Sequence, residues 1–109
     1  DCPSEDLESA LFVEWLRTQP VLFSHLPLGQ FTRSWKVLAR NKKLGVTKGC
    51  PDYVVVCPKT VLFVEMKRKK GGRVSPEQEI WIKTLTRVGI PAKVCCGAEA
   101  AIVFVKEHL

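Results

Sequence analysis

Asp52, Glu65 and Lys67 are the residues whose types and spacing could do chemistry in this chain. Glu65, Met66 and Lys67 close the apolar run "VLFVEMK", and Asp52 ends the stretch "GCPD" thirteen residues before Glu65. Side chains alternate along a strand. Val61, Phe63, Glu65 and Lys67 therefore share one face, and Leu62, Val64 and Met66 the other. A strand over Tyr53–Cys57 and a second over Thr60–Lys67, joined tightly at Pro58-Lys59, would form a hairpin. The start of the first strand then lies beside the end of the second, so Asp52 approaches Glu65 and Lys67. Two carboxylates and a backbone carbonyl make an oxygen-rich site for Mg²⁺ or Mn²⁺. A neighbouring ammonium can stabilise developing negative charge or orient a water. Metal-assisted phosphodiester hydrolysis needs these parts. The same residues fit a structural Glu65–Lys67 pair at a solvent-facing strand end equally well, with Asp52 as a turn residue.

The elements that must position them can be read from capping and periodicity. Ser4 is an N-cap signal with Glu5 and Asp6 in the first turn. The helix it starts is predicted to end near Thr18, with Leu7, Leu11 and Trp15 as its apolar face. Glu5 and Glu8 lie three apart and share a face. Pro20, Pro27, Gly29 and Gly45 punctuate the next stretch, in which "VLFSHLP" and "SWKVLARNKKLG" each fit strand or helix. Ser75, Pro76 and Gln78 form a capping-box pattern for a helix with Ile80, Trp81, Leu85 and Val88 on its apolar face, ended by Gly89. Ala92–Cys96 reads as a third strand, and a last helix is predicted from about Ala98 to Glu107. Trp35 and Trp81 read as core residues in preference to base-stacking ones, and His25 as a packed or surface histidine. The order gives an α/β fold: a mixed β-sheet flanked by α-helices, with a strand–helix–strand crossover near its end.

At 109 residues the chain fits one domain. It carries a net charge of +6, and the stretch from Trp15 to Pro51 contains no acid. Eleven of the 17 Lys and Arg residues fall in two windows, Arg33 to Lys48 and Lys67 to Arg73. Such clustering favours a polyanion, nucleic acid above all. The five cysteines are odd in number and lack a CxxC pair or a zinc-module spacing, which points to reduced thiols in a cytoplasmic setting. No run approaches the length of a membrane span, and "DCPSEDLES" has no signal-peptide apolar core.

More than the three-residue pattern is present. "GCPD", then "EMK", then "GGRVSPEQEIWIKTLTRVG" resembles the VRR-NUC family of PD-(D/E)xK nucleases in order and spacing. "SEDLESALFVEWLRTQP" is similar to the family's opening helix, and "NKKLGVTKG" to its lead-in to the Pro-Asp turn. The resemblance covers nearly the whole chain, residues 1–109 as a single stand-alone nuclease domain. It implies a restriction-endonuclease-like fold. It implies Asp52 and Glu65 as metal ligands with Glu5, or else Glu8, as the first-helix acid. Lys67 would be the catalytic lysine, and Gln78 would match the helix glutamine near the site. At the position four after Glu5, where relatives often have Gln, this chain has Ser9. The resemblance further implies a Mg²⁺- or Mn²⁺-dependent endonuclease that cuts branched DNA, as homodimeric Holliday-junction resolvases do. A less selective flap or nicking nuclease, and a DNA-binding module without catalysis, are the alternatives. Arg33, Lys42, Lys43, Lys48, Arg68, Lys69, Lys70 and Arg73 are expected to contact DNA phosphates, which fix position without reading sequence.

Overall fold

A computed structural model describes residues 2–26 and 34–109. Arg33, Pro27 and Gly29 lie outside the described residues. The chain forms α1 (Glu5–Leu16), β1 (Leu22–His25), α2 (Trp35–Lys43), β2 (Tyr53–Val56), β3 (Val61–Lys67), α3 (Pro76–Arg87), β4 (Ala92–Cys96) and α4 (Ala98–Lys106). The four strands make one mixed sheet in the order β1-β2-β3-β4. β1, β2 and β3 run antiparallel in turn, while β4 lies parallel to β3 after the α3 crossover. The two segments that periodicity left open resolve as strand β1 and helix α2. Ser34 caps α2, its Oγ accepting the Val37 N–H at 3.4 Å.

The core lies between the sheet and α1 with α4. Leu62, Val64 and Met66 from β3, Tyr53 and Val55 from β2, and Cys95 from β4 meet Phe12, Leu16, Ala98, Ala101, Phe104 and Val105. Phe12 meets the Tyr53 ring edge-on, with centroids 5.5 Å apart. The opposite parity of β4 puts Val94 on the other sheet face, where Val74 of the preceding loop and Ile82 of α3 adjoin it in an open hollow.

The buried stripe of α1 is not the predicted Leu7, Leu11 and Trp15. Glu8, Phe12 and Leu16 are buried, while Leu7 and Leu11 are about half exposed. Glu5, Glu8, Phe12 and Leu16 fall on one helical stripe. The helix is rotated so that this mixed stripe faces inward: its apolar end enters the core and its acidic end meets the strand termini. A similar rotation moves α3. Ile80 and Val88 point outward, and Gln78, Trp81, Ile82 and Leu85 are the half-buried side. Trp81 Nε1 donates to the Lys48 carbonyl at 3.0 Å, which draws that side toward the turn before β2. The core reading of Trp35 does not hold, since it is 75% exposed.

Gly49 is the close contact that makes this docking possible. Its φ is +91°, and a Cβ there would lie 2.5 Å from the Glu77 carbonyl carbon and 2.8 Å from the Gln78 nitrogen. Backbone would meet backbone, and neither can swing aside. Gly49→Ala is expected to cost about 2 kcal/mol or more, read as a lower urea midpoint. The same substitution at Gly45, where φ is +85° but nothing lies within 4 Å, should cost only the backbone strain.

Candidate active site

The site forms where β2 begins and β3 ends. The register pairs Tyr53 with Val64, so the preceding Asp52 faces Glu65. Pro51 is fully buried and aims the chain into β2. Asp52 is held twice. Its carbonyl accepts the Leu26 N–H at 2.6 Å, and its Oδ2 accepts the Met66 N–H at 2.8 Å. By strand parity Asp52, Glu65 and Lys67 stand on the sheet face away from the core. Glu5, the first residue of α1, reaches the same spot from the other layer. Oxygens of Glu5, Asp52 and Glu65 lie within 4.8 Å of one another.

Glu65 is only 2% exposed, yet carries a carboxyl group. Its Oε2 is 3.6 Å from Lys67 Nζ, and its Oε1 is buried without a hydrogen-bond partner. Burial first, and then the Asp52 carboxylate beside it, push the Glu65 carboxyl up to about 8 against the pull of Lys67. Glu5 is raised as well, chiefly by partial desolvation, with Lys67 opposing. Three carboxylates and one ammonium leave two net negative charges in one place when all are ionised. The donor set is all oxygen, as hard divalent cations require.

Lys67 is fixed from the backbone, since its carbonyl accepts the Gly97 N–H at 2.8 Å. A Cβ on Gly72 would sit 3.1 Å from the Lys67 Cβ, so this glycine lets the basic loop fold close over the lysine stem. Gln78 keeps the full capping box. Its Oε1 accepts the Ser75 N–H at 2.9 Å while Ser75 Oγ accepts the Gln78 N–H at 3.1 Å. With Asp52, Lys48, Gly49, Cys50, Leu26 and Ser75 it lines a pocket of about 140 Å³. Burial, and then the nearby Glu65 and Asp52 carboxyl groups, push the Cys50 thiol up from its ordinary value.

Glu8 does not join the cluster. Its Oε1 accepts the Ala98 N–H at 3.2 Å, at the start of α4. The N-cap of α4 is Gly97, which has no side chain for this purpose. Glu8 supplies the cap from another helix, and its charge suits the helix N-terminus. Acids at positions 5 and 8 share one helical face, and spacing only ranks Glu5 ahead of Glu8. Only the approach of α4 divides them, which is why periodicity missed the cap.

The expected phosphate contacts are dispersed. Lys42 and Lys43 are exposed on α2, and Arg68, Lys70 and Arg73 on the loop after β3. Lys48 is exposed beside the pocket but pairs with Glu77 at 3.5 Å. Lys69 lies over Gly97 and lines an open groove between α1 and α4 with Glu8, Trp15 and Glu99, apart from the acidic cluster. His25 is exposed at the end of β1, its ring 5.1 Å from that of Tyr53.

Sheet, flanking helices and acidic cluster together define a restriction-endonuclease-like α/β domain. The VRR-NUC domain family matches residues 4–99. The chain belongs to that family, a family of nucleases. A solved structure described as a VRR_NUC domain protein is similar, with a TM-score of 0.80 at 21% identity, over 97% of this chain and 88% of that one. At that identity the likeness speaks for the fold. Among curated proteins no match was found.

The Glu65 environment has a pH signature. Between about 4.5 and 8 the folded chain holds a proton that the unfolded chain has released, so this group makes stability fall as pH rises through that window. In EDTA, Glu65→Gln should match the wild type near pH 4.5 and melt higher by on the order of 10 °C at pH 8.5. Equal melting curves at both pH values would mean that Glu65 is not held out of water.

Proposed function

We propose that the chain, acting as one module over residues 1–109, is a Mg²⁺- or Mn²⁺-dependent endodeoxyribonuclease. The observation that carries this reading is the cluster of Glu5, Asp52 and Glu65 with Lys67 alongside. A buried carboxylate with an unpartnered oxygen, set against two further acids, is unfavourable unless a cation completes it. Asp52, Glu65 and Glu5 would hold the cation. Once bound, it would supply a water of lowered pKa and a Lewis-acid contact to the phosphate.

The protein's own groups do the rest. Met66 N–H fixes the Asp52 carboxylate, and Glu65 positions the Lys67 ammonium. Lys67 would offset the charge that grows on the phosphate oxygens during displacement. Gln78, whose Oε1 is committed to the cap, would offer its amide N–H groups to a substrate in the pocket beside Asp52. Arg33, Lys42, Lys43, Lys48, Arg68, Lys69, Lys70 and Arg73 would bind phosphates along the DNA. Branched DNA, four-way junctions in particular, is the proposed substrate, cut by a homodimer with two sites. A chain this short has few elements that could read base edges, which favours recognition of shape. An intracellular setting accords with five unpaired cysteines. Among the described residues no helix is long and apolar enough to cross a membrane.

Asp52→Ala and Glu65→Ala should each abolish detectable Mg²⁺-dependent cutting of a synthetic four-way junction, whereas either variant cutting at the wild-type rate would remove the metal-site assignment. Lys67→Ala should bind the junction almost as the wild type does but cut at least about 100-fold more slowly. An equal loss in binding would make it a phosphate contact. Mn²⁺ should raise the wild-type melting temperature by several degrees at pH 8 and leave Asp52→Ala unmoved. Sedimentation at micromolar concentration should give a dimer, and a persistent monomer would favour single nicks over paired incisions.

A further inference from the structure

Helix α2 departs from the rest of the molecule. None of its residues is buried, and Trp35, Val37 and Leu38 are 75%, 44% and 50% exposed. It also carries Lys36, Arg40, Lys42 and Lys43 and no acid. Among the described residues these four cations have no carboxylate within 4.0 Å, since the ion pairs lie at Lys48, Lys67 and Lys83. Leu26 and Lys48, which bracket α2 in sequence, both line the pocket beside Asp52. Lys43 is five residues from Lys48, so the end of α2 lies within about 17 Å of that pocket wall.

Helical spacing places three of its four cations on one stripe. Lys43, Lys36 and Arg40 form one stripe. Trp35 stands next to it, on the side shared with Leu38 and Lys42. A second copy of this basic chain would bring like charge against like charge at this face. DNA matches the cations and also supplies flat faces for the indole. In an unbroken duplex those base faces are stacked and closed, whereas at a branch point some are exposed.

We propose that α2 is the branch-reading element: its cations seat on DNA phosphates while Trp35 stacks on a base laid open at the discontinuity. This rests on the proposed function in naming DNA, and branched DNA, as the partner. Phosphate contacts are blind to branching, so Trp35 carries the discrimination and the stripe carries the common affinity. The exposure that disqualifies Trp35 from the core equips it for this role, because aromatic stacking is available to any base.

Binding in EDTA tests this without any cutting, so a failure of the nuclease reading leaves the result interpretable. Labelled four-way junction and uninterrupted duplex of equal length would be titrated with wild type, Trp35→Ala, Trp35→Phe and Arg40→Ala/Lys43→Ala. Trp35→Ala should bind the junction about tenfold more weakly with its duplex affinity unchanged, and Trp35→Phe should recover most of the loss. Arg40→Ala/Lys43→Ala should weaken both ligands alike and flatten the salt dependence by about two phosphate contacts. Tryptophan fluorescence should be quenched by junction in the wild type and far less in Trp35→Phe. Equal losses of Trp35→Ala on both ligands, or a change in its sedimenting mass, would overturn the proposal. The second outcome would assign the face to contact between copies.

Discussion

Glu65 lies almost wholly out of water, with Asp52 opposite it, Lys67 3.6 Å away and one oxygen unpartnered. A carboxylate in that position is unfavourable on its own. The surrounding structure is arranged around tolerating it. Asp52 cannot retreat, because the Met66 N–H and its own carbonyl bond to Leu26 tie it to both neighbouring strands. Lys67 cannot drift, because Gly97 holds its backbone. Repulsion between the two carboxyls is relieved below about pH 8 by the proton that Glu65 retains.

The helices obey the same constraint. α1 gives up the burial of Leu7 and Leu11 to turn Glu5 toward the cluster and Glu8 onto the start of α4. α3 leaves Ile80 and Val88 in solvent so that Gln78 and Trp81 face the turn at Gly49. In each helix an apolar stripe that looks preferable by burial alone loses to one that mixes polar and apolar residues. Three glycines make room for the close approaches: Gly49 under α3, Gly72 against Lys67 and Gly97 under Lys69. The fold keeps its purely apolar packing for Leu62, Val64 and Met66 on the other side of the sheet.

Charge is partitioned in space as well as along the chain. Three acids, Glu5, Asp52 and Glu65, converge at the strand ends, and cations stand on exposed positions of α2 and of the loop after β3. A phosphate chain drawn to the periphery would be met at the centre by negative charge until a cation is bound.

Much of the fold was legible in the sequence because its signals are local. The Ser4 and Ser75 caps, the hairpin, the capping box and the crossover follow from residues within a few positions of one another. So does the pairing of Asp52 with Glu65 and Lys67, since strand alternation and a short connection leave little freedom. The choice between Glu5 and Glu8, the inward faces of α1 and α3 and the exposure of Trp35 were not legible. Each depends on which distant element arrives alongside: α4 for Glu8, the Gly49 turn for Trp81, and no core element for α2. Sequence alone determined which carboxylates and which lysine stand at the ends of the hairpin strands and the order in which strands and helices present them. The tertiary structure decided which way each helix turns, because the energy that sets rotation comes from contacts between segments far apart in the chain.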